Sequence, residues 1–153
     1  MLQIQVITDL ATEPVTLSEA KSFMNVDHSD FDSLITMLIK ASREESERVT
    51  GKAYGAKVIQ VTGNTQRNQD GNIEKIYPIT PFVSDVVWVD EDDNTDYRYN
   101  AGFTTIPTDL KLAILQRVAT GFAFRQDGFE MAISKAVNAS INKELKVRTS
   151  FIA

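Results

Sequence analysis

The side chains best equipped for chemistry lie in one run, Asp90-Glu91-Asp92-Asp93-Asn94-Thr95-Asp96. With Asp90 as the first position, oxygen donors fall at positions 1, 3, 5 and 7 of a calcium-binding loop. The second half of such a loop is missing. Thr95 stands where the turn needs glycine and Ala101 where a bidentate glutamate is needed, which excludes an EF-hand. A metal-assisted hydrolase would have to rest on a weaker cation site in this run. An acidic hairpin turn between Val86-Val87-Trp88-Val89 and Tyr97-Arg98-Tyr99 explains the same residues more simply. His28, the single histidine, has Asp27 and Asp30 beside it, the pairing a general base would use. It sits in a polar link between two helical patterns, where a solvated turn histidine is expected. With no cysteine in the chain, thiolate catalysis, iron–sulfur clusters and disulfides have no ligands. Gly51-Lys52 lacks the upstream glycine and the following Ser or Thr of a phosphate-cradling loop, and neither G-x-G-x-x-G nor G-x-S-x-G occurs. No catalytic residue, metal site or cofactor is expected.

The charges point the same way. Sixteen basic against 21 acidic residues give a net charge of −5, which disfavours generic affinity for nucleic acid. Residues 1–50 hold 4 basic and 9 acidic side chains, 51–100 hold 5 and 8, and 101–153 hold 7 and 4. The chain is acidic at its start and basic at its end, an asymmetry suited to subunits that pack head to side. A helix-turn-helix reading of the first two helices fails, because Glu44, Glu45 and Glu47 would face phosphates. The basic stretch is C-terminal: Lys135, Lys143, Lys146 and Arg148 against Glu144. It supports an alternative function, a regulatory module that binds nucleic acid through this segment. The opening residues lack a signal-peptide pattern and no run approaches 18 apolar residues, so a cytoplasmic product without membrane spans is expected.

The elements that would position these residues read as one α+β domain over 1–153. Leu2, Ile4 and Val6 alternate with Gln3 and Gln5, the period of a short edge strand. Thr16-Leu17-Ser18-Glu19 has capping-box spacing and predicts a helix at about 17–25. Ser29 and Asp30 cap the clearest helix, about 30–50, which buries Leu34, Ile35, Leu38 and Ile39 and stops at Gly51. Its outward face carries Lys40, Arg43, Glu44, Glu47 and Arg48, with Glu44 and Arg48 as an i,i+4 pair. Between about 57 and 100, short β-branched runs at 58–61, 73–77, 83–89 and 97–99 predict a small antiparallel β insert. Ten polar or glycine residues, Gly63 to Asn72, predict a mobile, protruding loop that includes Asn64, Arg67, Asp70 and Gly71. Thr108 or Asp109 should cap a helix at about 109–126 with a very wide apolar face, of the kind buried between layers or at a subunit interface. A weaker helix at about 130–145 and a tail at 146–153 complete a bundle of about four helices.

The set resembles a known family. Glu13-Pro14-Val15-Thr16-Leu17-Ser18-Glu19-Ala20-Lys21, then Asn25-Val26-Asp27, then a long helix closing on Thr50-Gly51-Lys52, resembles the N-terminal half of the phage head-to-tail connector (head completion or adaptor) family. Tyr99-Asn100-Ala101-Gly102-Phe103, followed by Ile106-Pro107-Thr108-Asp109-Leu110-Lys111 and Ala113-Ile114-Leu115, resembles its turn into the penultimate helix. The likeness runs over about 13–126 and marks Thr16, Glu19, Gly51, Gly102, Pro107, Leu110 and Ile114 as structural positions.

It implies a non-enzymatic virion protein that assembles in the host cytoplasm and resides at the head-to-tail junction. Its partners would be the portal protein, neighbouring copies in a ring usually described as twelve-fold, and the next head-completion or tail-junction protein. Genome DNA would be channel content only, with no membrane contact. By analogy the C-terminal Lys135, Lys143, Lys146, Arg148, Phe151 and Ile152 would meet the portal or a neighbouring subunit. The 63–72 loop would be a channel or docking loop.

Overall fold

The computed structural model describes residues 2–64, 67–72, 74–88, 96–124, 139–143 and 146. They form an α+β chain in which a β part is inserted into a helical bundle. The chain divides into two compact units, each built from two stretches of sequence. One joins Met1–Thr12 to Gly51–Thr105; the other joins Glu13–Thr50 to the described residues from Ile106 onward.

The helical unit contains α1 (Leu17–Met24), α2 (Asp32–Thr50), α3 (Thr108–Ala123) and a short helical stretch at 139–143. The rest of the helix expected at 130–145 lies outside the described residues. Helix α1 begins with the full capping box: Thr16 Oγ1 accepts from Glu19 N–H at 3.2 Å, and the Glu19 carboxylate accepts from Thr16 N–H at 2.9 Å. It ends on Asn25 in the left-handed region, whose N–H caps the last turn. Ala20 from α1, Ile35 and Ile39 from α2, and Leu110, Ile114 and Val118 from α3 form the core. Full burial of such a branched side chain contributes about 1.5–3 kcal/mol. Leu110, Ala113, Ile114 and Val118 of the wide apolar face of α3 are buried, whereas Leu115, Ala119, Phe122 and Phe124 are half-buried and Leu112 is exposed. Helix α3 departs from the expected cap: Pro107 itself stands at the N-cap, with no side-chain hydrogen bond, and Thr108 is already helical. The fixed φ of proline, rather than a side-chain oxygen, sets the entry.

In the sheet unit, β1 (Gln3–Thr8), β2 (Lys57–Thr62), β3 (Phe82–Trp88) and β4 (Tyr97–Ala101) form one antiparallel sheet in the order β1-β2-β4-β3. The insert thus borrows its first strand from the N-terminus. Strand β2 alternates buried and half-buried residues, and so does β4. Their inward residues Ile59, Val61, Tyr97, Tyr99 and Ala101 pack with Ala53, Tyr77 and Ile79.

The strand expected at 73–77 does not form over its described residues. Tyrosine hydroxyls engage the backbone at Ile76 and, just beyond the segment, at Ile79. Tyr97 Oη accepts from Ile76 N–H at 2.8 Å and donates to Ile76 O at 2.5 Å; Tyr99 Oη does the same at Ile79, at 2.9 and 3.1 Å. Two buried phenols supply the partners that a neighbouring strand would have supplied. Burial raises both hydroxyl pKa values, that of Tyr99 to about 12, so both remain protonated donors.

Candidate assembly surfaces

The positions marked by the resemblance fall where the backbone is most constrained. Glu19 does more than cap its helix. Its other carboxylate oxygen accepts from Lys111 Nζ of α3 at 2.5 Å, tying the start of α1 to the start of α3. That hydrogen bond, with the one from Thr16 N–H, lowers the Glu19 pKa from 4.5 to about 2. Lys21 makes a parallel tie to Asp32 of α2 at 2.7 Å. Leu110 and Ile114 are fully buried, and Gly51 follows α2 at a φ of +67° on the surface. Gly102 has a φ of +124°, and a side chain there would run into the backbone carbonyl of Gly55. Only glycine lets the chain leave β4 along this path.

Arg43 corrects the sequence reading most sharply. Expected on the solvated face of α2, it is only 1% exposed. Its Nε donates to Glu13 Oε2 at 2.9 Å, one terminal nitrogen to Glu13 Oε1 at 3.2 Å and the other to Glu47 Oε2 at 2.7 Å. The fork on Glu13 is the bidentate geometry that lysine cannot reproduce. Arg43 follows Ile35 and Ile39 at four-residue steps, so the buried stripe itself signalled its position. The carboxylate that makes its burial tolerable comes from outside the helix. The anticipated Glu44–Arg48 pair is replaced by Arg48 with Glu45.

The polar 63–72 loop is anchored at both ends. Asn64 is 1% exposed, and its amide donates to Glu74 O at 2.7 Å. Gly63 N–H donates to Asp96 Oδ1 at 2.8 Å, which engages the last acid of the 90–96 run in holding a turn. At the tip Asn68 Oδ1 accepts from the N–H groups of Asp70 and Asn72 at 3.0 and 2.9 Å, an Asx-type turn. Arg67 donates to Gly71 O at 2.9 Å, and Arg67, Asp70 and Gly71 are exposed. Neither the burial of Asn64 nor the Asp96 bond was legible, because both depend on pairing β2 beside β4. Residues 90–95 lie outside the described residues. Among those described, no cluster of three metal-ligating side chains occurs.

His28 is exposed in its turn, 3.8 Å from Asp30, with its ring against Phe31. Of the C-terminal candidates, Lys143 and Lys146 are helical and exposed, whereas Lys135, Arg148, Phe151 and Ile152 lie outside the described residues. Sequence reading did not anticipate the exposed apolar side chains. All six residues of β1 are exposed, Ile4, Val6 and Ile7 among them, and Phe82 and Val83 are exposed on β3. Each long helix leaves one large apolar side chain in solvent, Met37 on α2 and Leu112 on α3.

The described polar clusters each hold a helix end, a turn or a packed stripe, the pattern of an α+β structural subunit with apolar side chains left at its surface. The family model for the phage gp6-like head-tail connector protein matches residues 14–148, and the chain belongs to that family. Membership gives it a structural role as a phage virion component. No curated protein and no solved structure matches it. Among the described residues no helix is long and apolar enough to cross a membrane.

Proposed function

We propose that this chain is one subunit of a ring that sits beneath the portal, lengthens the DNA channel and offers the surface on which the next junction protein docks. The observation that carries the reading is the family match across 14–148, which spans both compact units. The structure supports it in a second way. Exposed apolar side chains gather on the two outer strands of the sheet, Ile4, Val6 and Ile7 on one and Phe82 and Val83 on the other, and support an assembly role for those edges.

On this reading the exposed tip of the 63–72 loop is a channel or docking element, and Asn64 and Asp96 are the residues that hold it out. The basic C-terminal segment, with Lys143, Lys146, Phe151 and Ile152, attaches to the portal or to a neighbouring subunit. The test of that attachment is a chain lacking residues 145–153. It should sediment as a folded subunit and fail to co-sediment with portal, while the full chain co-sediments. Undiminished co-sedimentation of the truncated chain would overturn the assignment of the segment.

A further inference from the structure

We infer that neighbouring copies join edge to edge through their sheets, β1 of one subunit pairing antiparallel with β3 of the next. The inference rests on the ring reading above and specifies the interface that closes it.

Among the described residues the sheet has two outer strands, and no further strand lies beyond either. Such edges present rows of unpaired N–H and C=O groups. Proteins that keep them apart place lysines, prolines, inward charges or pronounced β-bulges there. Strand β1 has no charged residue and no proline. Strand β3 has one charge, Asp85, which stands opposite Tyr99 on the core side, where Lys75 Nζ at 3.1 Å neutralises it and the Tyr77 hydroxyl donates to it at 3.2 Å, so it presents no free charge to an incoming strand.

Direction decides how the edges can meet. The strands alternate along β1-β2-β4-β3, so β3 runs opposite to β1. A second β1 laid beside β3 continues the antiparallel order with its subunit in the same orientation as the first. Repetition of that step is a heterologous contact, the kind that generates a ring when its rotation closes. Pairing β1 with β1 antiparallel instead requires a two-fold axis and stops at a dimer. Register shifts bend both edges, between Val6 and Thr8 in β1 and between Phe82 and Ser84 and between Asp85 and Val87 in β3, so the pairing runs over the stretches between them.

The faces agree as well. Ile4 lies opposite Val61 and Val6 opposite Ile59, so both stand on the core side of the sheet, yet they are 46% and 42% exposed. Phe82 lies opposite Ala101 on that same side, packs on Tyr77 at a ring distance of 4.3 Å, and is 43% exposed. Edge-to-edge pairing sets the aliphatic stripe of one copy beside the aromatic cluster of the next, a cross-strand combination that stabilises sheets.

The absence of cysteine makes the test direct. Gln5→Cys and Val83→Cys are placed, singly and together, at exposed positions of the full chain, which is then assembled on portal and treated with a short bismaleimide. The double variant should give a ladder of covalent multimers. A mixture of the two single variants should stop at dimers containing one of each, and either single variant alone should stay monomeric on a denaturing gel. Rings visible by microscopy without β1–β3 cross-links would overturn the edge pairing and leave the proposed function standing, as would Gln5→Cys linking to itself. Folded chain that forms no ring on portal would overturn both.

Discussion

At the scale of single residues, Arg43 and Glu19 carry the account. Replacing Arg43 by alanine leaves the Glu13 and Glu47 carboxylates without the cation they share. Breaking a buried pair this way costs about 3–5 kcal/mol. Glu13 keeps partial access to water, so the lower end, about 3 kcal/mol, is expected in urea unfolding of the R43A chain. A loss under about 1 kcal/mol would contradict the buried fork. R43K should recover only part of the loss, because lysine keeps the charge without the two parallel donors.

Glu19 gives a pH dependence. Its pKa falls from 4.5 to about 2 on folding, chiefly through the Lys111 hydrogen bond, so the folded state binds this proton less readily than the unfolded state. The resulting stability is complete above about pH 4.5 and is lost as pH falls toward 2. Because Glu19 is 42% exposed, solvent screening keeps the contribution below about 1 kcal/mol. Lys111→Met should move the Glu19 titration, followed by carboxyl NMR, upward part of the way to its ordinary value, because the Thr16 hydrogen bonds stay in place. An unchanged titration would show that the α1–α3 tie is not formed. The capping box was readable from Thr16 and Glu19 alone because a cap is local. Lys111 is 92 positions from Glu19, and nothing in the sequence joins the two.

At the scale of elements, the helices were legible because each states its own period and ends. Helices α1, α2 and α3 lie within a few residues of their expected bounds. The error over 73–77 has a different origin. β-Branched and aromatic composition marks a chain that packs on a sheet, and this segment does pack on one through Tyr77 and Ile79. The choice between a ladder partner and two phenols is made by Tyr97 and Tyr99, on another strand. Tyr97→Phe or Tyr99→Phe should therefore each cost about 1 kcal/mol, the lower end of the penalty for unmatched backbone groups, because Ile76 and Ile79 are half-buried. Thermal unfolding of each variant measures it, and a wild-type midpoint would show that water replaces the hydroxyl.

Two glycines make a sharper contrast. Gly102→Ala meets both a positive φ and the Gly55 carbonyl, so it should destabilise by about 3 kcal/mol or more. Gly71→Ala, at a φ of +82° with open space around it, should cost only about 1–2 kcal/mol. Equal losses at the two sites would mean that the tight crossing at Gly102 is not made.

At the scale of the whole molecule, family membership and surface chemistry agree on assembly. The family could be reached from sequence because its capping and turn signals keep their order and spacing over about 13–126. The proposed assembly surface could not, since Leu2, Ile4 and Val6 read as an edge strand with one face packed, and their exposure follows only from the sheet order, in which no strand among the described residues lies beyond β1. The polar 63–72 loop was legible as a loop, whereas its anchoring by Asn64 and Asp96 needed the strand pairing. The central claim is that this chain is a ring subunit seated on the portal. Negative-stain microscopy of the full chain mixed with the portal protein of the same phage tests it most directly. The account predicts a ring of density on the narrow end of the portal, coaxial with its channel. A portal left bare by folded protein would contradict it.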